Sequence, residues 1–399
     1  MTNLDYLYNK DDAKERFERN CFVGKKLGFQ TINNGIIIPH IKTDKTGYWG
    51  VSGVIDEQGV FKKEIIAMQD VETSALLNGN VKKSKGTVIC LGLFAPAWGH
   101  NITINLGRLW FLKNALYKKY FKRCRIVYMP WYKTWDECEH IYIDQIQNLG
   151  RLLEILDIDP NILQPIEEPT QFDRVILPDS SFYEKEYTFY FTKEYKDTIE
   201  RIRDFAIKNR TPTPSNKVYY FYGRHQIGEE YLADYFQSKG YMSVKPETLT
   251  LDEQLNLMIN CDSFAATLGS CAHNSIFLRE GTEAIFIPRD ATTFKITKYQ
   301  QAIDQARNLN VTYVDSSLSM FGKVHESYCY IVSRQLKRFF DEESLDYTEK
   351  DFTTFFEYLK DSMIRKREIH PEARQYYGKV FRDFFMQMWN RQSSEYFAI

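Results

Sequence analysis

The alternation of short apolar runs with helical patterns between residues 217 and 288 constrains the fold more than any other feature. The apolar runs are Val218 to Tyr222, Tyr241 to Lys245, Ser263 to Leu268 and Ala284 to Pro288. Each run has the length and composition of a buried strand, and helical patterns that end at Gly240, Asn260 and Gly281 separate them. Because crossovers between parallel strands are right-handed, this order predicts an α/β fold with a parallel sheet covered by helices on both faces.

Two of the predicted strands end in residues suited to binding an anion. Arg224 follows the first strand, and the third runs into a turn at Gly269. A guanidinium offers a planar fork of donors to a phosphate, and a helix N-terminus offers free N–H groups. The predicted phosphate-binding residues are Arg224, Gly269, Ser270, His273 and Asn274. Two simpler interpretations stay open, a pairing of Arg224 with the first turn of its own helix and an ordinary helix cap at Ser270.

A set of short motifs resembles glycosyltransferase family 61 and related bacterial capsular polysaccharide biosynthesis proteins. The motifs are Trp98-Gly99-His100, Leu106-Gly107-Arg108-Leu109-Trp110, Tyr222-Gly223-Arg224, Pro246-Glu247 with Glu253-Gln254, Gly269 with Asn274, and Gly281-Thr282. They span roughly residues 85 to 290. The resemblance implies a GT-B architecture, with two facing Rossmann-like domains and a C-terminal helical segment. It also implies inverting transfer from a nucleotide-sugar, with no cofactor and no metal required.

A Pro- and Thr-rich segment at residues 211–215 predicts the boundary between the two domains. We expect an N-terminal, acceptor-side domain over residues 1–210 and a nucleotide-sugar-binding domain over 211–345. Helical patterns continue over residues 346–399, and in the architecture implied by the resemblance such C-terminal helices pack back on the N-terminal domain. The basic, aromatic tail could instead lie on an anionic membrane.

His100 is the predicted catalytic base of the transfer, and the alternative is a structural histidine that hydrogen-bonds a loop carbonyl. It follows a strand, Thr87 to Phe94, at the start of a long helical pattern, and its ordinary pKa suits removal of a proton from an acceptor hydroxyl. Glu283 is a candidate partner for the ribose of the donor. The predicted function is transfer of a sugar, with a UDP-sugar favoured as donor, to a glycan or lipid-linked saccharide in surface polysaccharide synthesis.

Composition limits the other classes of function. The seven cysteines are odd in number and form no C-x-x-C pair, which favours reduced thiols in the cytoplasm and argues against a structural zinc site. The net charge of −1 gives no general attraction to nucleic acid. No run has the length of a membrane span, so we expect a cytoplasmic protein that is at most peripheral at the membrane.

Two alternative functions remain on the sequence alone. Cys271 stands in a turn that faintly resembles a nucleophile elbow, which would make the protein a hydrolase or acyltransferase. Ile104 stands where many members of the resembled family carry an acidic residue, which would suit a non-catalytic module that binds sugar nucleotides or glycans. His40, in a short strand-like run, is predicted to lie at the surface or at a sheet edge.

Overall fold

The fold is described from a computed structural model. It covers residues 2–7, 10–41, 50–64, 81–132, 139–186, 188–221, 226–289, 298–319 and 328–369. The chain divides into two compact units, one of residues 21–208 and one that combines residues 1–20 with residues 209–399. We call them the central unit and the terminal unit.

The first residues of the chain belong to the terminal unit. Strand β1 (Thr2–Tyr6) pairs in parallel with a strand near residue 311, and helix α1 (Lys10–Phe17) follows it. The sequence places residues 1–210 together in one domain, whereas the structure groups the first 20 with the C-terminal part of the chain. The strand pairing is the physical reason, because it joins segments from both halves of the chain in one sheet.

A mixed sheet of nine strands forms the core of the central unit. The strands of this unit are β2 (Phe22–Val23), β3 (Phe29–Asn33), β4 (Ile36–Ile41), β5 (Val51–Ile55), β6 (Phe61–Glu64), β7 (Lys82–Phe94), β8 (Arg125–Tyr132), β9 (His140–Ile141), β10 (Leu163–Pro165), β11 (Thr170–Pro178), β12 (Phe182–Lys185) and β13 (Thr188–Thr192). In the sheet, β10, β8, β7 and β11 run parallel, and β4 joins β11 antiparallel. Strands β12, β13 and β2 form a separate small sheet.

The long helix that the sequence predicts after β7 is broken into short segments in the structure. The helices of the central unit are α2 (Trp98–His100), α3 (Trp110–Lys113), α4 (Leu149–Ile155) and α5 (Lys193–Lys208). Two π-helical turns, Asn101–Asn105 and Tyr117–Phe121, interrupt the predicted helix after β7. A π-turn widens the helix and shifts the register of its side chains, so the apolar spacing identified the helical region but not its breaks.

The terminal unit contains a six-stranded sheet in which all strands are parallel. Its remaining strands are β14 (Lys217–Tyr220), β15 (Met242–Val244), β16 (Ser263–Thr267), β17 (Glu283–Ile287) and β18 (Asn310–Val314), and a separate hairpin pairs β19 (Ser317–Ser319) with β20 (Tyr328–Tyr330). The helices are α6 (Glu229–Ser238), α7 (Leu251–Asn260), α8 (Lys298–Ala306), α9 (Arg334–Phe339) and α10 (Glu349–Ile369). The predicted parallel α/β arrangement is confirmed here.

Local signals of the sequence explain these elements. Thr250 and Glu253 form the predicted capping box at the start of α7, with the Thr250 hydroxyl accepting from the Glu253 N–H. Gly240 ends the turn after α6 with a φ of +84°. Tyr219 stacks on Phe236 of α6 at 4.2 Å between ring centroids, which holds β14 against that helix. The predicted segment at 211–215 begins at Thr211, whose N–H donates to Asn256 of α7 at 2.9 Å.

The remaining predictions about architecture stay predictions. The structure supports α/β units with one parallel and one mixed sheet, while the GT-B arrangement and the packing of C-terminal helices on the N-terminal domain are not tested. Within the predicted C-terminal helical segment, residues 346–399, the structure describes α10, and residues 370–399 lie outside the described residues.

Candidate functional site

The strand order of the parallel sheet defines where a ligand would bind. From the edge, the order is β1, β18, β17, β16, β14 and β15. The chain passes from β14 to β15 on one side and then returns across to β16 on the other side. In open parallel sheets, ligands bind outside the carboxyl ends of the strands at such a switch point. The candidate site is therefore the carboxyl edge near β14 and β16, and Arg224, which follows β14, lies outside the described residues.

A tight turn at Gly269 follows β16 at this edge. The Leu268 N–H donates to the Ile287 carbonyl at 2.8 Å, which extends the pairing of β16 with β17, and the Ala272 N–H then closes the turn on the Gly269 carbonyl at 3.0 Å. Ser270 is half-buried within the turn. The predicted turn is present, and Gly269 and Ser270 stand at the carboxyl edge of the sheet.

Arg289 packs directly against this turn, which the sequence did not predict. It follows β17, and its Nε donates a hydrogen bond to the Leu268 carbonyl. A Cβ atom placed on Gly269 would lie 1.9 Å from Nη2 of Arg289. The guanidinium therefore occupies the volume that any other residue at position 269 would need for its side chain.

The helix after the turn differs from the prediction. Ala272–Phe277 forms a 3₁₀-helix of six buried residues. Such a short helix has a small dipole, so the predicted anion binding by a helix N-terminus has little support from this geometry. Asn274 is fully buried and its Nδ2 donates to the Cys271 carbonyl at 3.1 Å. Its Oδ1 accepts no hydrogen bond from any residue that the structure describes.

His273 lies inside a buried polar network. Its Nδ1 is 2.8 Å from Oε1 of Gln300, whose Nε2 donates to Ser275 and, at 2.7 Å, to Asp304. Since Gln300 Nε2 is committed as a donor, its Oε1 accepts and His273 Nδ1 carries the proton. Asp304 also accepts from the Tyr313 hydroxyl at 2.5 Å, and burial raises its pKa to about 7. The contact with Gln300 gives His273 a structural role in this network.

Cys271 does not have the environment of a nucleophile. It is buried, and its thiol donates to the Thr267 carbonyl at 3.3 Å. Burial raises the pKa of the thiol to about 11. Because the thiolate is the reactive form, this cysteine is inert at neutral pH. The geometry disfavours the hydrolase or acyltransferase alternative.

Glu283 lies at the amino edge of the parallel sheet, opposite the candidate site. It begins β17, and its Oε2 accepts a hydrogen bond from the Ser263 hydroxyl at 2.7 Å. Strands rise about 3.3 Å per residue, so the five residues of β17 separate Glu283 from the carboxyl edge by roughly 13 Å. The structure does not bring Glu283 together with Gly269.

A buried carboxylate, Glu229, lies at the same edge as Arg289. Glu229 is 2% exposed and occupies the first turn of α6. Burial raises the pKa of Tyr328, the charge of Arg289 lowers it, and the charge of Glu229 raises it again. The pKa of Tyr330 responds to the same two charges. Glu229 and Arg289 are therefore both close to this pair of tyrosines.

A groove of about 390 Å³ opens beside α6. Phe221 and Lys245, from the ends of β14 and β15, line it together with the first turn of α6 and with α10. Helix α10 is fixed there by Asp351, which accepts from the Tyr231 hydroxyl at 2.6 Å and lies 3.9 Å from the buried ammonium of Lys337. The groove thus has one wall from α6 and one from α10.

In the central unit, His100 lies at the carboxyl end of β7, as predicted. It ends α2 and precedes the π-helical turn Asn101–Asn105. Asn105 fixes this junction, because its amide accepts from the Ala95 N–H at 3.0 Å and donates to the Ala95 carbonyl at 2.9 Å. Burial lowers the pKa of His100 to about 4. The imidazole is therefore neutral at physiological pH, and burial disfavours its protonated form, unlike the ordinary pKa that the sequence suggested.

Other residues of the same motif region are structural. Arg108 Nε donates to the Pro178 carbonyl at 2.6 Å, and Trp110 Nε1 donates to the Asp179 carbonyl at 2.9 Å. A Cβ on Gly107 would lie 2.5 Å from Oγ of Ser180. The Gly-Arg-Leu-Trp sequence therefore holds the end of β11.

Comparison with known protein families tests the resemblance inferred from the motifs. Residues 98–285 match the model of the family described as Glycosyltransferase 61. The match supports glycosyltransferase family 61. The resemblance inferred from the motifs is confirmed, and the match supports a glycosyltransferase. Comparison with curated proteins finds no match.

The Glycosyltransferase 61 match begins at the turn that carries His100 and ends within β17. Arg289 and α10, which shape the carboxyl edge of the parallel sheet, follow the matched region. In the described part of the chain, no three His, Cys, Asp or Glu side chains cluster as in a metal site. Metal-independent transfer stays a prediction. No described helix is long and apolar enough to cross a bilayer.

Two histidines illustrate what sequence reasoning missed. His40, predicted at the surface, is only 2% exposed. Its Nδ1 accepts from the Tyr132 N–H at 2.8 Å and its ring stacks on Trp131 at 4.2 Å. The prediction for His40 was wrong because the short polar-flanked strand β4 lies inside the mixed sheet. His273 is likewise an interior residue, held by Gln300.

Proposed function

We propose that this protein is an inverting glycosyltransferase that moves a sugar from a nucleoside-diphosphate sugar to a hydroxyl of a glycan or lipid-linked saccharide. A UDP-sugar is the favoured donor and surface polysaccharide the favoured product. The GT-B arrangement, the cytoplasmic location and a peripheral contact with the membrane belong to the same proposal. The observation that carries it is the Gly269 turn at the switch point of a parallel sheet, within the region that matches the family.

The donor is proposed to bind at the carboxyl edge of the parallel sheet. A diphosphate placed at the carboxyl ends of β14 and β16 would meet the turn at Gly269, and Arg224, which follows β14 in the sequence, stays the predicted second contact. Hydrogen-bond donors held in place before the reaction stabilise charge as it develops on the leaving oxygen, and removal of one such donor costs roughly 3 to 4 kcal/mol in comparable sites. We expect Arg224→Ala to reduce transfer sharply.

The proposed reaction is a single displacement at the anomeric carbon. The acceptor oxygen forms a bond to that carbon while the bond from the carbon to the β-phosphate oxygen breaks. The bonding electron pair leaves with the nucleoside diphosphate, and the acceptor proton passes to the base. One displacement from the opposite face inverts the configuration.

His100 is the proposed base. With a pKa of about 4 it is neutral, so no proton blocks its acceptor nitrogen at neutral pH. A base this weak takes the proton late, once bonding to the anomeric carbon has made the acceptor hydroxyl acidic. A carboxylate is the alternative base.

A transfer assay tests the proposal. Purified protein is incubated with UDP-, GDP- and CMP-sugars and a panel of glycan and lipid-linked acceptors, and products are identified by mass spectrometry and by the anomeric coupling in NMR. Donor-dependent product with inverted configuration supports the function. Donor binding in calorimetry with neither transfer nor donor hydrolysis would favour the non-catalytic binding module, and absence of both binding and product would overturn the proposal.

A further inference from the structure

We propose that Arg289 binds the diphosphate of the donor, and that Gly269 is required because the guanidinium occupies the space of its side chain. This inference rests on the proposed function and identifies a further donor-binding residue within the same site. The residue follows the region that matches the family and was not predicted from the sequence.

The position of Arg289 follows from strand register. Thr267, the last residue of β16, pairs with Ile287, the last residue of β17. Residues just beyond these two strands are therefore neighbours at the carboxyl edge. Arg289 leaves β17 where Gly269 leaves β16, which places a positive charge beside the switch point of the sheet.

The orientation of the guanidinium is fixed by its hydrogen bond. Nε donates to the Leu268 carbonyl, and the guanidinium is planar. Fixing Nε therefore also fixes the plane of the two terminal nitrogens, of which Nη2 lies over Gly269. A guanidinium held this way presents a fork of donors that matches two phosphate oxygens, and it loses little entropy when a phosphate binds.

The surroundings strengthen the effect of this charge. Arg289 is half-buried, and its charge influences Cys271, Tyr328 and Tyr330, all of which lie in the interior or close to it. Charges act more strongly in such a poorly solvated environment than in water. Glu229 supplies an opposite charge near the same two tyrosines, and a diphosphate would add the negative charge that the guanidinium attracts.

A bracing role is the competing explanation. Arg289 would then hold the turn after β16 through Leu268 and never contact a ligand. The two roles differ in one measurable respect, since a brace affects stability and all ligands alike, whereas a phosphate contact affects only ligands that carry phosphate.

The test compares diphosphates with their nucleosides. Dissociation constants for UDP, uridine, GDP and guanosine are measured by calorimetry on the full chain for wild type, Arg289→Ala and Arg289→Lys. Arg279→Ala is the matched control, because this exposed arginine pairs with Asp262 at the amino edge of the same sheet. Unfolding temperatures without ligand report folding of each variant.

We expect Arg289→Ala to weaken binding of the preferred diphosphate about 10- to 100-fold, as loss of a charged hydrogen bond would, and to leave nucleoside binding unchanged. Arg289→Lys should show an intermediate loss, and Arg279→Ala none. Equal diphosphate binding by wild type and Arg289→Ala, or parallel losses for diphosphate and nucleoside, would overturn this inference alone. If wild type binds no nucleoside diphosphate, the proposed function fails and this inference with it.

Discussion

Replacing Gly269 by Ala tests the central contact of the site, the packing of Arg289 on the turn after β16. The new Cβ would lie 1.9 Å from Nη2, 3.0 Å from Cζ and 3.4 Å from Nε of Arg289. Atoms do not approach this closely, so the guanidinium must swing away and release the Leu268 carbonyl. Loss of a hydrogen bond from a charged group costs about 1.5 to 3 kcal/mol.

Backbone strain adds to this cost. Gly269 has a φ of +154°, where an L-residue is strained by on the order of 1 to 3 kcal/mol. Together the two effects should lower the free energy of unfolding by roughly 3 to 6 kcal/mol. Gly281→Ala is the matched control, because Gly281 has a φ of +75° but no atom within 4 Å of the point where a Cβ would lie. It should show the strain without the collision.

A double-mutant cycle separates the two effects. Urea unfolding followed by circular dichroism is measured for wild type, Gly269→Ala, Arg289→Ala and the double variant. Because the hydrogen bond is lost in each single variant, the double variant should be less destabilised than the sum of the singles by about 1.5 to 3 kcal/mol. Additive effects, or a Gly269→Ala variant no less stable than Gly281→Ala, would refute the described packing.

Three further predictions concern titratable groups. His100→Gln should reduce kcat by about 100-fold or more without changing UDP affinity. Because the folded pKa of His100 is about 4, wild type should also lose stability relative to this variant as pH falls from about 6.5 to 4, by at most about 3 kcal/mol. Equal pH profiles of the two proteins in thermal melts would contradict this. Asp304 has a raised pKa of about 7, so its neutral form is favoured in the folded state. Wild type should therefore lose stability relative to Asp304→Asn as pH rises towards and through 7. A constant difference in stability between the two proteins from pH 5 to 8 would contradict this. Cys271 should resist iodoacetamide at pH 8 until the protein is unfolded, whereas the partly exposed Cys124 should react sooner, as peptide mass spectrometry can show.

Much of the terminal unit could be predicted because its signals are local. Each apolar run of β14 to β17 is bounded by a glycine, a cap or a polar turn, so the strand and helix order was available from adjacent residues. Strand β1 lacked this signal. Its sequence, Thr-Asn-Leu-Asp-Tyr, is short and mostly polar, as suits an edge strand, and its partner is distant in the chain.

The candidate site was harder to predict because its contacts are not local. The turn at Gly269 was evident from the sequence, but the requirement for glycine there comes from Arg289, which is separated from it by a 3₁₀-helix and β17. Glu283 is close in sequence to the site, yet the direction of β17 puts it at the amino edge of the sheet. Histidine is a residue type often found in binding sites, and only the Gln300 contact shows that His273 points into the interior.

The pairing of β1 with β18 has a consequence for protein synthesis. Thr2 leaves the ribosome about 300 residues before its partner Val311, and at about 5 to 20 residues per second this delay is roughly 15 to 60 s. During that time the central unit can be translated in full and fold, while Asn3 and Tyr6 remain without their strand partners. The parallel sheet of the terminal unit therefore joins segments whose syntheses are about 300 residues apart.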